Sequence, residues 1–196
     1  MKNEATARLF VAVDLPAIVR ERLAGWARTA VAGVFSGRST TPRLLGAESM
    51  HVTLCFLGNR PLREIEPLGE AVSACARAVG KLSLGAPLWL PPRRPRVLAV
   101  EIRDETGGLR VLKDDVVGAL AGVCEAELTP EHRRFRPHVT VARLRERSRP
   151  RERELAPTPA LSFAPESLAL YRSFLASEGA TYEALASVGL GELSAG

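Results

Sequence analysis

The chain alternates between short apolar runs and longer stretches in which apolar residues recur every three or four positions, the pattern of strands separated by helices. Arg8 to Leu15 is a run of the first kind, closed by Pro16, and predicts a buried strand that leads into a helix. From Pro16 to about Val34, the residues Val19, Leu23, Trp26, Ala30 and Val34 form one apolar stripe, as on an amphipathic helix. A Gly- and Ser-rich loop over 36–42 follows, then a strand from His51 to Leu57 that ends at Gly58-Asn59. A second stripe (Ile65, Leu68, Val72, Cys75, Val79) predicts a helix from about Leu62 to Val79, with Gly80 as its stop. Leu82–Leu90 and Arg96–Ile102 read as strands around a rigid basic turn, Pro91 to Pro95. A third helix is expected from Leu109 to about Leu128, with Leu109, Leu112, Val116, Leu120 and Val123 inward. A strand begins at His138, and Ser167–Leu175 and Thr181–Val188 make a hairpin turning at Glu178-Gly179-Ala180. The apolar-free segment 145–154 reads as a solvated loop and 191–196 as a frayed tail.

One four-residue pattern occurs twice: His51-Val52-Thr53-Leu54 and His138-Val139-Thr140-Val141. Residues two apart on a strand share a face, so each copy sends an imidazole and a hydroxyl one way and two apolar side chains the other. The approaches to the two copies also match. Arg8-Leu-Phe-Val-Ala-Val-Asp14 resembles Arg96-Val-Leu-Ala-Val-Glu101, a long helix follows each, and 43 residues separate Arg8 from His51 against 42 between Arg96 and His138. This parallelism predicts an internal duplication, with repeats roughly over 8–58 and 96–145 inside one domain spanning 1–196. Copies related by a pseudo-two-fold axis would bring the two histidines together.

Composition changes this picture little. The 196 residues, 46% apolar and 25% charged, are those of an ordinary globular domain. No apolar run reaches the roughly 18 residues needed to span a bilayer, and the N-terminus lacks a signal pattern, so a cytoplasmic protein without membrane contact is expected. Cys55, Cys75 and Cys124 show no metal-ligand spacing and are expected as free thiols. The net charge of +5 favours an anionic partner, and with 24 arginines to three lysines the basic side suits phosphate, although codon bias accounts for much of that total.

Two histidines on opposite sides of a phosphorus atom can divide the work of phosphodiester cleavage, one removing a proton from water while the other protonates the departing oxygen. Thr53 and Thr140 can hold the non-bridging oxygens, where charge must be stabilised. No metal or cofactor is called for, since neither motif contains a carboxylate and no His-Glu-x-x-His or Cys-x-x-Cys is present. A single His-x-Thr in a strand would ordinarily be structural; two in matched contexts point to a site. His132, without a counterpart in the first half, reads as a surface histidine. Cys55 shares the face of His51 and Thr53 by alternation and reads as packing, because nothing near it would activate a thiol.

With these flanks the chain resembles the 2H phosphoesterase superfamily, and within it the RNA 2′,3′-cyclic phosphodiesterases, also called the 2′-5′ RNA ligase family. The resemblance runs through Arg8 to Pro16, His51 to Gly58, Arg96 to Ala99, Arg134 to Arg143 and Leu170 to Gly179, ahead of Tyr182. It implies a bilobal α+β fold, internally duplicated, with two mainly antiparallel sheets flanking a central cleft and helices outside. It also implies opening of an RNA 2′,3′-cyclic phosphate to a 2′-phosphate, with reversible 2′-5′ ligation by the same site. By likeness His51 is the proton donor and His138 the acceptor, an assignment that the residues alone leave open to exchange. Arg143 has a role in substrate binding by likeness, yet strict alternation from His138 turns it away from the cleft unless the strand bulges. Arg134 and Arg136 flank the cleft mouth as candidates for the RNA backbone. The chain departs from the family at Cys55, where a basic residue is common, and at 43–45, where an aromatic is. The partner expected is RNA with a 2′,3′-cyclic phosphate end, met by a monomer. Two alternatives stand beside this: a phosphodiesterase of a small cyclic nucleotide or an ADP-ribose cyclic phosphate, and a non-catalytic module that binds RNA ends.

Overall fold

The computed structural model describes residues 4–35, 41–124, 134–144, 154–176 and 179–191. The elements in chain order are β1 (Thr6–Asp14), α1 (Ala17–Val34), β2 (Arg43–Leu44), β3 (His51–Pro61), α2 (Ile65–Ala74), β4 (Leu82–Leu90), β5 (Val97–Arg103), α3 (Gly108–Ala121), β6 (His138–Arg143), β7 (Ser162–Phe163), β8 (Ser167–Ala176) and β9 (Gly179–Gly189). The two-residue strands β2 and β7 are too short to leave a periodic trace in the sequence.

Hydrogen bonding links the strands in the order β7-β4-β5-β6-β3-β1-β8-β9, with β2 added to β6, and every pairing is antiparallel. The two central strands, β3 and β6, meet at a single residue pair, Val52 opposite Val139. A half of five strands, β2 included, and a half of four are thus joined at a one-pair seam, and the His-Val-Thr motifs start the strands on either side of it. The same plan is found on both sides: β1-α1-β3 and β5-α3-β6 each connect antiparallel neighbours through a helix. Each helix also crosses the seam, α1 packing against β6 and α3 against β3.

The helices form where the stripes place them. α1 buries Val19, Leu23, Ala27, Ala30, Val31 and Val34 and stops where Phe35 turns extended. Trp26 is only partly buried, and its indole N–H donates to the Ala156 carbonyl at 3.2 Å. α3 buries Leu109, Leu112, Val116 and Leu120. The Asp104 carboxylate caps it by accepting from the backbone N–H groups of Gly108 and Leu109, at 3.2 and 2.8 Å. These side chains join the inward faces of the strands in one apolar core, so truncating Leu112 to Ala should cost roughly 2–5 kcal/mol.

Three boundaries differ from the periodic reading. α2 ends at Ala74, not near Val79, because the chain leaves the helix to pack on α3, where Arg77 pairs with Asp115 at 2.8 Å. Gly80 is no helix stop: it lies where a Cβ would come within 2.7 Å of Thr106, so a close approach selects it. β3 continues past Gly58 to Pro61, because Gly58 adopts φ 72° beside an extra residue, Leu57, and the ladder with β1 resumes. The expected extent of the third helix beyond residue 124, the loop over 145–153, the turn at 177–178, His132 and the tail from 192 lie outside the described residues.

Candidate active site

The seam between β3 and β6 opens into a cleft of about 1220 Å³ whose lining includes His51, Thr53, His138 and Thr140. Alternation accounts for these four: Val52, Val139 and Val141 between and beside them are fully buried on the other face. All three arginines expected at the substrate, Arg134, Arg136 and Arg143, line the same cleft.

Arg143 reaches it through an irregularity that alternation cannot show. In the β5–β6 ladder Ala99 pairs with Thr140 and Leu98 with Ala142, which leaves Val141 as an extra residue. That bulge reverses the phase of the strand: Val141 and Ala142 are both buried, and Arg143 returns to the face of His138 and Thr140. The first motif has the same device. Ala12 pairs with Thr53 and Val11 with Cys55, so Leu54, also fourth in its motif, is the extra residue. Here the reversal corrects the expectation for Cys55. It lies opposite the fully buried Val11 and packs on the core instead of sharing the face of His51. Phe56, placed in its motif as Arg143 is in the other, takes the cleft position and is 65% exposed.

Each imidazole is tied to the backbone two residues upstream. His138 Nδ1 lies 2.8 Å from the Arg136 carbonyl oxygen. A carbonyl only accepts, so Nδ1 carries the proton in the neutral ring and Nε2 keeps its lone pair. The His51 ring likewise has a hydrogen bond with the backbone of Ser49. Beyond this the two differ. His51 stands among aromatic rings, with centroids 4.9 Å from Phe10, 6.0 Å from Tyr171 and 5.2 Å from Tyr182. Burial lowers its pKa to about 4; Asp14 and the bond to Ser49 oppose the shift, while the Arg143 and His138 charges add to it. Asp14 faces His51 across the β1–β3 ladder, and its carboxylate accepts hydrogen bonds from Ser167 Oγ at 2.6 Å and the Tyr171 hydroxyl at 2.8 Å. Burial, and then the same carboxylate, push the Tyr171 phenol upward, so it serves as a donor.

Tyr182 spans the two halves: its ring meets Phe10 and His51, and its hydroxyl accepts a long hydrogen bond of 3.5 Å from Arg143. The two motifs gave no role to Tyr182, Asp14, Phe10 or Phe56, nor to Arg8, Arg43 and Arg96, which also line the cleft. A weak signal for two of these existed, since Arg8 and Arg96 open the two matched approaches. Among the described residues, the lining contains six arginines and neither Asp nor Glu. Among the described residues, no group of three or more His, Cys, Asp or Glu side chains is placed to hold a metal ion, no disulfide joins the cysteines, and no helix is long and apolar enough to cross a membrane.

Two His-x-Thr strands that open into one cleft rich in arginine define a phosphoesterase of the 2H class. No protein-family model matches the chain. An RNA 2′,3′-cyclic phosphodiesterase of Aeropyrum pernix is 30% identical over 144 residues, covering 70% of this chain and 80% of that protein. The RNA 2′,3′-cyclic phosphodiesterase of Escherichia coli K12 is 30% identical over 181 residues, covering 91% and 93%. Among solved structures, a Thermus thermophilus protein superposes with a TM-score of 0.78 at 29% identity, over 93% of this chain and 97% of that one. E. coli LigT complexed with 3′-AMP gives 0.73 at 28% identity, over 95% and 99%. The chain belongs to the RNA 2′,3′-cyclic phosphodiesterase family.

Proposed function

We propose that this chain hydrolyses the 2′,3′-cyclic phosphate end of RNA to a 2′-phosphate, with His51 and His138 dividing the proton transfers. The observation that carries this reading is the cleft: both His-x-Thr pairs open into it, and among the described residues arginines without carboxylates line it. Such a surface attracts a phosphodiester and repels nothing in it. Its width and basic character favour a polynucleotide end over a small cyclic nucleotide held in a closed aromatic pocket. The names of the relatives point the same way. The paired histidines argue against a module that only binds RNA ends, since binding needs no acid and base.

His138, with Nδ1 committed to the Arg136 carbonyl, offers the Nε2 lone pair as the base. As water attacks phosphorus, its proton passes to His138, the new P–O bond forms, and the bond to the 3′-oxygen breaks. His51 supplies the proton to that departing oxygen. Partly buried, and neutral when the cleft is empty, His51 gains proton affinity when the anionic phosphate enters, because an adjacent negative charge favours the imidazolium. The Thr53 and Thr140 hydroxyls and the Arg143 guanidinium hold the non-bridging oxygens, while Arg134 and Arg136 meet the adjoining backbone. In the same direction, with a 5′-hydroxyl in place of water as the nucleophile, His138 would take the hydroxyl proton, the 3′-oxygen would leave with the proton from His51, and two RNA ends would be joined through a 2′-5′ linkage. The reading of the chain as one bilobal, duplicated domain, with repeats over roughly 8–58 and 96–145, is supported by the matched strand-helix-strand order and by the extra residue at the same motif position, Leu54 and Val141.

The test is incubation of an oligonucleotide ending in a 2′,3′-cyclic phosphate, with and without a chelator, followed by identification of the product isomer. A 2′-phosphate product that forms equally in chelator is expected. No turnover would sink the enzymatic reading, a 3′-phosphate product would overturn the choice of leaving oxygen, and loss of activity in chelator would overturn the metal-free scheme.

A further inference from the structure

His51 poses a problem for any scheme in which it donates a proton. Its ring is packed among Phe10, Tyr171 and Tyr182, an environment that disfavours the imidazolium. The cationic groups near it, Arg143 and His138 from β6, work in the same direction. Against them the structure sets one carboxylate. Asp14 ends β1 directly opposite His51, where β3 begins. It is held by a third strand: Ser167 donates to Oδ2 at 2.6 Å and Tyr171 to Oδ1 at 2.8 Å, and the Asp14 carbonyl accepts from the Glu166 N–H at 2.9 Å. A surface aspartate at a strand end would need no such clamp. Both carboxylate oxygens are engaged by donors reaching across from residues 153 and 157 positions away in the chain.

The geometry points to Asp14 as a positioning residue: clamped by Ser167 and Tyr171, it supplies the fixed negative charge that lets His51 take up and hold the proton it delivers. This rests on the proposed hydrolysis, with His51 as the donor, but it adds a component that neither His-x-Thr motif contains. The arrangement is one-sided. In the second motif the residue opposite His138 is Glu101, at the corresponding place on β5, and its carboxylate lies beside Gly85 of β4. Other groups face His51 or its clamp as well: Tyr182 from β9, and Arg20 from α1, whose charge opposes that of Asp14 at the Tyr171 phenol. Asp14 is the charged neighbour that favours the imidazolium.

The test is the imidazole titration followed by NMR in wild type and in Asp14→Asn, which keeps the shape and removes the charge. The His51 midpoint should fall by about one pH unit while that of His138 stays in place. Tyr171→Phe and Ser167→Ala, which loosen the clamp but keep the carboxylate, should give smaller shifts in the same direction. In turnover of a 2′,3′-cyclic phosphate oligonucleotide, Asp14→Asn should lower kcat up to about tenfold with KM little changed. The ratio of wild type to variant should rise with pH to a plateau, and Asp14→Glu should recover part of the loss. A His51 midpoint that does not move in Asp14→Asn, or that moves only together with that of His138 as a general loosening would produce, overturns the inference even if hydrolysis is normal. If wild type does not turn the substrate over, the hydrolysis reading fails instead, and the NMR result still decides whether Asp14 charges His51.

Discussion

The two His-Val-Thr half-sites are alike in construction and different in surroundings. Each starts a strand at the seam, ties its imidazole to the backbone two residues upstream and inserts an extra residue at its fourth position. They then diverge. The first places Phe56 in the cleft where the second places Arg143, and it surrounds His51 with aromatic rings and a clamped carboxylate. His138 keeps a single committed ring nitrogen, which leaves the other free to act as a base. The matched strand-helix-strand order brings both imidazoles to one cleft. On the proposed hydrolysis, these differences in surroundings suit the two imidazoles to opposite proton transfers.

The comparison can be broken most severely at the imidazoles. His51→Ala and His138→Ala should each lower turnover of a 2′,3′-cyclic phosphate oligonucleotide by roughly 10²- to 10⁴-fold, and steady-state rates with folding checked by circular dichroism would show it. Survival of full activity in either variant contradicts the division of labour. Next come the groups expected on the phosphate oxygens. Arg143→Ala and the two Thr→Ala changes should cost on the order of 10²-fold, in kcat more than in KM, if they act on charge that develops in the transition state.

A third difference appears in stability. Burial lowers the His51 pKa from 6.5 to about 4 in the folded protein, so between these values the unfolded chain binds the extra proton. The contribution is fully present above pH 6.5 and is lost as the pH falls towards 4, by roughly 3 kcal/mol. Denaturant titrations at pH 7 and pH 4 measure the loss, which His51→Gln should reduce; a loss as large in that variant as in wild type would contradict the account. The smallest effect is expected at Cys55. On the core side of its bulge it should accept Ala at a cost of about 1 kcal/mol or less in stability, with turnover near wild type. A large loss of activity there would return the side chain to the cleft.

The elements and the principal side chains of the site were legible in the sequence because both follow from local periodicity. Stripes at helical spacing mark α1 and α3, and two-residue alternation puts His51 with Thr53 and His138 with Thr140 on one face. What alternation could not show is where it fails. The extra residues at Leu54 and Val141 depend on how β3 and β6 pair with β1 and β5, and they exchange the expected faces of Cys55 and Arg143. The end of α2 was illegible for a related reason, since its apolar stripe continues while the Arg77–Asp115 pair and the approach of Gly80 to Thr106 draw the chain away. Asp14 lay inside a recognised motif, but its bonds to Ser167 and Tyr171 join the two ends of the chain, and no local pattern encodes them.

The measurement that bears most directly on the division of labour replaces the departing 3′-oxygen of the cyclic phosphate by sulfur, a leaving group that needs no proton. Rates of His51→Ala and His138→Ala are compared on the oxygen and sulfur substrates. The account predicts that sulfur restores most of the activity lost in His51→Ala and leaves the His138→Ala defect unchanged. Rescue of His138→Ala, or of neither variant, would contradict it.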